Sequence, residues 1–188
     1  MKKFSPIFLL LLILFCVNSF ADNTYDERRA QVGVRLFRSL VAADLDLAKK
    51  LTPDGEVLLY FLHKDDADAA GSVEVMLDDG NRLVIRKLPV VTRTVALTEL
   101  HPDTTQTSVP AGVFITQRLR NRDLQTIIDY GMEHGVIVYS AFEGDVERGV
   151  LAGVSIQARI EPYLNRNTLE NSNLNIKAFF LKVARQYE

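Results

Sequence analysis

Tryptophan is missing from this 188-residue chain, and its one cysteine, Cys16, lies among the first 21 residues. Those residues read as an export signal. Lys2 and Lys3 form a positive start, Ile7 to Val17 an apolar run, and Ser19-Phe20-Ala21 a cleavage site with small residues at its first and last positions. The apolar run rises about 16 Å as a helix, short of a bilayer core of about 30 Å. A lipoprotein signal is not expected, because bulky Phe15 precedes Cys16. The expected layout is a signal peptide, 1–21, cleaved after Ala21, and a single periplasmic domain, 22–188. The exported chain then carries no cysteine, which excludes thiol catalysis, thiolate metal sites and disulfides.

Charge of one sign is scarce too. The formal net charge is −2, and no run of like charge reaches five residues. Loss of Lys2 and Lys3 makes the exported chain slightly more acidic. A nucleic-acid partner calls for a basic face or stripe, so that class is excluded. There is no fixed-period repeat, low-complexity tract or dividing linker. His63, His101 and His134 are too scattered for a zinc motif, and Asp78-Asp79-Gly80-Asn81 is a turn lacking the other ligands of a calcium loop. Gly144 and Gly149 belong to neither a P-loop nor a dinucleotide fingerprint. No cofactor is expected.

What is present alternates between two periods. Residues Arg28 to Leu51 predict a long helix, with Val32, Leu36, Phe37, Leu40, Val41 and Leu47 on one face serving either a core or a dimer interface. Val57 to Leu62 is a continuous apolar run, as expected of a strand covered on both faces. Ala67 to Leu77 predicts a short helix, Arg82 to Leu97 an extended segment, and Pro102 to Pro110 a surface loop. Gly112–Leu119 and Val136–Phe142 predict strands around a helix over Asn121–His134 that Gly135 closes. Gly149 to Ile160 is strand-like, Pro162 to Asn175 irregular, and Phe179 to Tyr187 helical in spacing. The expected fold is α/β: a single layered domain, with a mostly parallel sheet flanked by helices.

In open α/β sheets ligands bind beyond the carboxyl ends of the strands. Those ends hold His63 to Asp66, Gln117 to Asn121, and Ser140 to Asp145 followed by Arg148. Arg118, Ser140, Glu143, Asp145 and Arg148 are therefore the candidate ligand- or partner-binding residues, the two arginines as anion partners. A hydrolase with Ser140 as nucleophile, His134 or His63 as base and Asp145 as orienter lacks the Gly-x-Ser-x-Gly elbow. Glu143 and Asp145 lack an aromatic sugar platform for glycoside chemistry. No catalytic set is assigned.

The stretch Gly144-Asp145-Val146-Glu147-Arg148-Gly149-Val150-Leu151-Ala152-Gly153-Val154-Ser155-Ile156 is distinctive. It is followed by Arg159-Ile160-Glu161-Pro162-Tyr163-Leu164-Asn165, then Leu174-Asn175-Ile176-Lys177 and Phe179-Phe180-Leu181-Lys182-Val183-Ala184. Together they resemble periplasmic YfiR-like proteins and, more loosely, the terminal part of ABC-type periplasmic substrate-binding proteins. The YfiR-like resemblance implies a compact, non-catalytic α/β domain. Such a domain binds the periplasmic part of an inner-membrane signalling protein, in some relatives one that makes cyclic di-GMP. Members commonly carry a Trp-Pro and paired cysteines. This chain has neither, so no redox role carries over. A regulator gated by a small polar ligand is thus the expectation. A one-lobe solute-binding component is the alternative, and an exported hydrolase ranks last.

Overall fold

A computed structural model describes residues 27–77, 83–100 and 109–188. The expected export signal, the expected turn at Asp78–Asn81 and most of the expected Pro102–Pro110 loop lie outside them. Among the described residues no helix is long and apolar enough to cross a membrane.

The first helix, α1, covers residues 27–43. Of the expected stripe, Phe37, Leu40 and Val41 are wholly buried in the chain's own core, joined by Val34, while Val32 and Leu36 are half-buried at its margin. The helix stops short of the expected Leu51 because Asp44 turns the chain. Its Oδ1 accepts the Asp46 N–H at 2.9 Å, and the Leu45 N–H donates to the Asn175 carbonyl at 2.8 Å instead of continuing the helix. A 3-10 turn, Leu47–Lys50, follows.

Strand β1, Val57–His63, is buried from Val57 to Leu62. Val57, Leu59 and Phe61 face one core layer, and Leu58, Tyr60 and Leu62 face the other. Each large apolar side chain so covered contributes about 1.5–3 kcal/mol. Helix α2, Ala67–Val75, starts where Asp66 accepts the Ala69 N–H at 2.9 Å. The segment read as one extended piece is a hairpin of β2, Val84–Ile85, and β3, Leu88–Ala96. Arg86 and Lys87 turn it with φ of 53° and 70°. Beyond a second 3-10 turn, Leu97–Glu99, lie β4, Gly112–Ile115, α3, Asn121–His134, and β5, Ile137–Ser140. Gly135 ends α3 in the left-handed region, φ 62°.

The last third departs most from expectation. The strand-like stretch is a hairpin of β6, Ala152–Ile156, and β7, Ile160–Asn165, and β7 takes up the start of the segment read as irregular. Helix α4, Arg166–Asn171, is capped by the Asn165 side chain. The closing helix is only α5, Ala178–Val183, and the chain then enters strand β8, Arg185–Tyr187.

These eight strands form one sheet in the order β2-β3-β1-β4-β5-β6-β7-β8. The run β3-β1-β4-β5-β6 is parallel. β2 and β7 are antiparallel to their neighbours, and β8 is parallel to β7. The chain is thus an α/β layered domain with a mostly parallel sheet. Its winding reverses between β1 and β4, the topological switch point. Phe37 of α1 meets Phe114 and Tyr139 with ring centroids 5.6 and 5.8 Å away, joining α1 to the sheet.

Candidate functional site

The carboxyl edge at the switch point is filled by the protein's own polar groups. Gln117 Oε1 accepts the N–H groups of Lys64, Asp65 and Asp66 at 2.9, 3.3 and 3.3 Å. Its amide nitrogen donates to Asp65 Oδ1 at 2.6 Å, and Lys64 Nζ donates to Asp123 at 2.6 Å. That last bond, foremost, holds the Asp123 carboxyl below the usual carboxylate range. His63 lies at the end of β1 with Nδ1 buried and unpartnered.

Three sequence-derived candidates, Ser140, Asp145 and Arg148, meet at the end of β5. Ser140 Oγ donates to Asp145 Oδ2 at 2.6 Å and accepts the Phe142 N–H at 3.1 Å. Arg148 Nη1 donates to Asp145 Oδ1 at 2.8 Å. Its Nη2 donates to the Leu119 carbonyl at 2.9 Å and to Asn121 Oδ1 at 2.7 Å. Ser140 and Asp145 are buried. The trio ties the loop after β5 to the β4–α3 connection, and its hydrogen-bonding capacity is largely consumed there. Arg118 and Glu143 lie further out. Arg118 stands 5.3 Å over the Phe142 ring and donates to the Glu143 carbonyl at 3.3 Å. The Glu143 side chain is 77% exposed, 4.0 Å from Arg29 Nη1.

An open cleft of about 70 Å³ lies beside this rim, where β5 and β6 end. Arg29, on α1, forms part of its wall and is only 6% exposed. Its guanidinium donates to the carbonyls of Ala141 and, at 3.0 Å, Val154. Across the β6–β7 hairpin, Arg185 of β8 lies 5.0 Å over the Tyr163 ring and donates to Ser155 Oγ at 3.2 Å. Burial, first, and then the neighbouring Glu147 carboxylate push the pKa of the Tyr163 phenol up. Two guanidinium groups and two carboxylates therefore share one small polar cleft.

Of the five sequence candidates only Glu143 lines this cleft. Arg29 carried a legible signal: it falls one helical turn before Gly33 and two before Phe37, on the stripe α1 buries. Arg185 and Tyr163 carried none, since one was read as helical and the other as irregular. The Ser140–His134 pairing that a hydrolase would need does not form, because His134 closes α3 at the opposite end of the sheet, where its ring lies 4.7 Å from Tyr130. Among the described residues no three His, Asp or Glu side chains are grouped to hold a metal ion.

No protein-family model matches the chain, and no curated protein matches it. Several solved structures are similar to it, two of which follow. One is the ABC domain in complex with L-Trp from Streptococcus pneumoniae, with TM-score 0.47 and 15% identity, covering 78% of this chain and 61% of that one. The other is a conserved domain protein from Vibrio cholerae, with TM-score 0.46 and 12% identity, covering 79% and 60%. The chain spans about three fifths of the length of each.

Proposed function

We propose that this protein is a non-enzymatic periplasmic regulator that binds the periplasmic part of an inner-membrane signalling protein and is gated by a small polar ligand. One observation carries the proposal. The stretch that resembles YfiR-like proteins supplies Gly144, Val146, Glu147, Val154, Ser155, Ile156 and Tyr163 to the walls of the open polar cleft. In this reading Arg118 and Glu143 offer their charges to the partner at the rim. Ser140, Asp145 and Arg148 keep the rim in shape from below. A hydrolase is disfavoured by the same geometry: the Ser140 hydroxyl donates to a carboxylate, and among the described residues no imidazole is bonded to it. A solute-binding component ranks second, since one lobe covers a ligand from one side only.

The absence of cysteine beyond Cys16 permits a clean test. Glu143→Cys, labelled in cells with a thiol-directed photocross-linker, is expected to capture an inner-membrane protein. Asp54→Cys, in the exposed turn before β1 at the other end of the sheet, is expected to capture none. Equal capture from both positions, or none from position 143, overturns the proposal.

A further inference from the structure

We propose that the partner is acidic where it meets Arg118, Arg120 and Arg122, three exposed arginines on the connection from β4 into α3. This names the chemistry of the partner's contact surface and so rests on the regulatory reading above.

The carboxylates around this connection are already engaged within the chain. Asp123 pairs with Lys64, and Asp145 with Arg148. Glu143 lies 4.0 Å from Arg29 Nη1. Asp65 and Asp66 are bonded toward α2, one accepting the Gln117 amide and the other the Ala69 N–H. The three arginines differ. Arg118 stands over the Phe142 ring and donates to the backbone carbonyl of Glu143, which engages one of the five N–H donors of a guanidinium. Among the described residues no hydrogen bond or ion pair engages Arg120 or Arg122. Three guanidinium forks are thus left without a carboxylate at the rim, and a carboxylate is the group such a fork binds bidentately.

The backbone that carries them is held in place. Arg148 donates to the Leu119 carbonyl and to Asn121 Oδ1, the residues on either side of Arg120. Arg148 is itself fixed by Asp145, and Asp145 by Ser140. The buried trio therefore clamps the stretch that presents the arginines, and a surface ordered in advance loses less freedom when a partner arrives.

An anionic lipid surface would use the same charges, but binding at a bilayer interface also draws on buried apolar area. Among the described residues no exposed large apolar side chain lies on the β4–α3 connection or on the loop after β5 beside it. The rim therefore fits an acidic segment of a protein.

Hexaglutamate peptide tests the chemistry apart from the partner. It is expected to bind the purified protein at low salt and to weaken as salt rises. Arg120→Glu with Arg122→Glu is expected to weaken it about tenfold. Arg120→Gln with Arg122→Gln, which only removes the charges, is expected to weaken it less. Lys87→Glu with Lys182→Glu makes the same change in net charge at exposed positions off the rim, and is expected to leave binding unchanged. In cells, the double glutamate change is expected to cut capture from Glu143→Cys about tenfold. Four results overturn the inference: no peptide binding at millimolar concentration, equal weakening by the rim and off-rim changes, capture that survives the arginine reversal, or arginine-dependent binding to phosphatidylglycerol vesicles without binding to the peptide. Capture that survives reversal removes the acidic partner alone. Arginine-dependent peptide binding with no capture from position 143 removes the regulatory role alone.

Discussion

Ser140 donates to a carboxylate that also receives Arg148, so its position at a strand end serves the rim's architecture. Ser140→Ala is expected to lower stability by about 1.5–3 kcal/mol, the range for a hydrogen bond to a charged group. Urea denaturation checks this. A second buried charge stands at the other end of the sheet. Asp44 is fully buried and accepts Lys50 Nζ at 2.7 Å, while the same ammonium donates to the Gly135 carbonyl at 2.5 Å. Lys50→Ala strands that carboxylate, and a loss of about 3–5 kcal/mol is expected by the same denaturation. Tyr130 adds a pH dependence. Burial, then the neighbouring Tyr60, push its pKa up from 10.0 to about 12. Between these values the unfolded chain gives up the phenolic proton and the folded chain keeps it. The stabilisation is complete below pH 10 and is lost as pH rises through about 12. Tyr130→Phe should show a shallower fall over that window in melts taken against pH.

Elements were legible where local signals and tertiary packing agree. Helix α3 runs over the expected Asn121–His134, because its apolar spacing, its glycine stop and the sheet beneath all require the same span. β1 is likewise the continuous apolar run. The hairpin of β2 and β3 was hidden because its turn uses Arg86 and Lys87 at positive φ, where Asn or Gly is the usual signal. β8 was hidden because Arg185-Gln186-Tyr187 continues the helical spacing of α5. Its strand state comes from pairing with Tyr163, Leu164 and Asn165. Close packing between elements also depends on two glycines. A Cβ at Gly112 would stand 2.7 Å from the Phe37 ring, and one at Gly131 would stand 2.5 Å from Val138 Cγ2. Gly112→Ala and Gly131→Ala each force α1 or α3 away from the sheet, with an expected cost of about 1–3 kcal/mol in thermal or chemical unfolding.

For the whole molecule, the sheet's order sets what each edge must do. β8 is a three-residue border strand covering part of β7. Deleting residues 185–188 leaves the backbone N–H and carbonyl groups of β7 open to another chain. A lower melting temperature and concentration-dependent self-association are expected, measured by sedimentation. A truncated chain that sediments like the full one would show that β8 does not guard this edge.

Composition and periodicity by themselves determined the α/β class, the strand buried on both faces, and the position of α3. Each depends on local pattern. Only the tertiary structure decided where β6, β7 and β8 lie and which polar groups are consumed internally. It also brought Arg29, Glu147, Tyr163 and Arg185 to one cleft. The physical reason is sequence separation: Arg29 and Arg185 come from opposite ends of the described chain, and only sheet pairing brings them together. Whether Ser140 meets a histidine or Asp145 likewise depends on which end of the sheet each loop reaches. No local period encodes that.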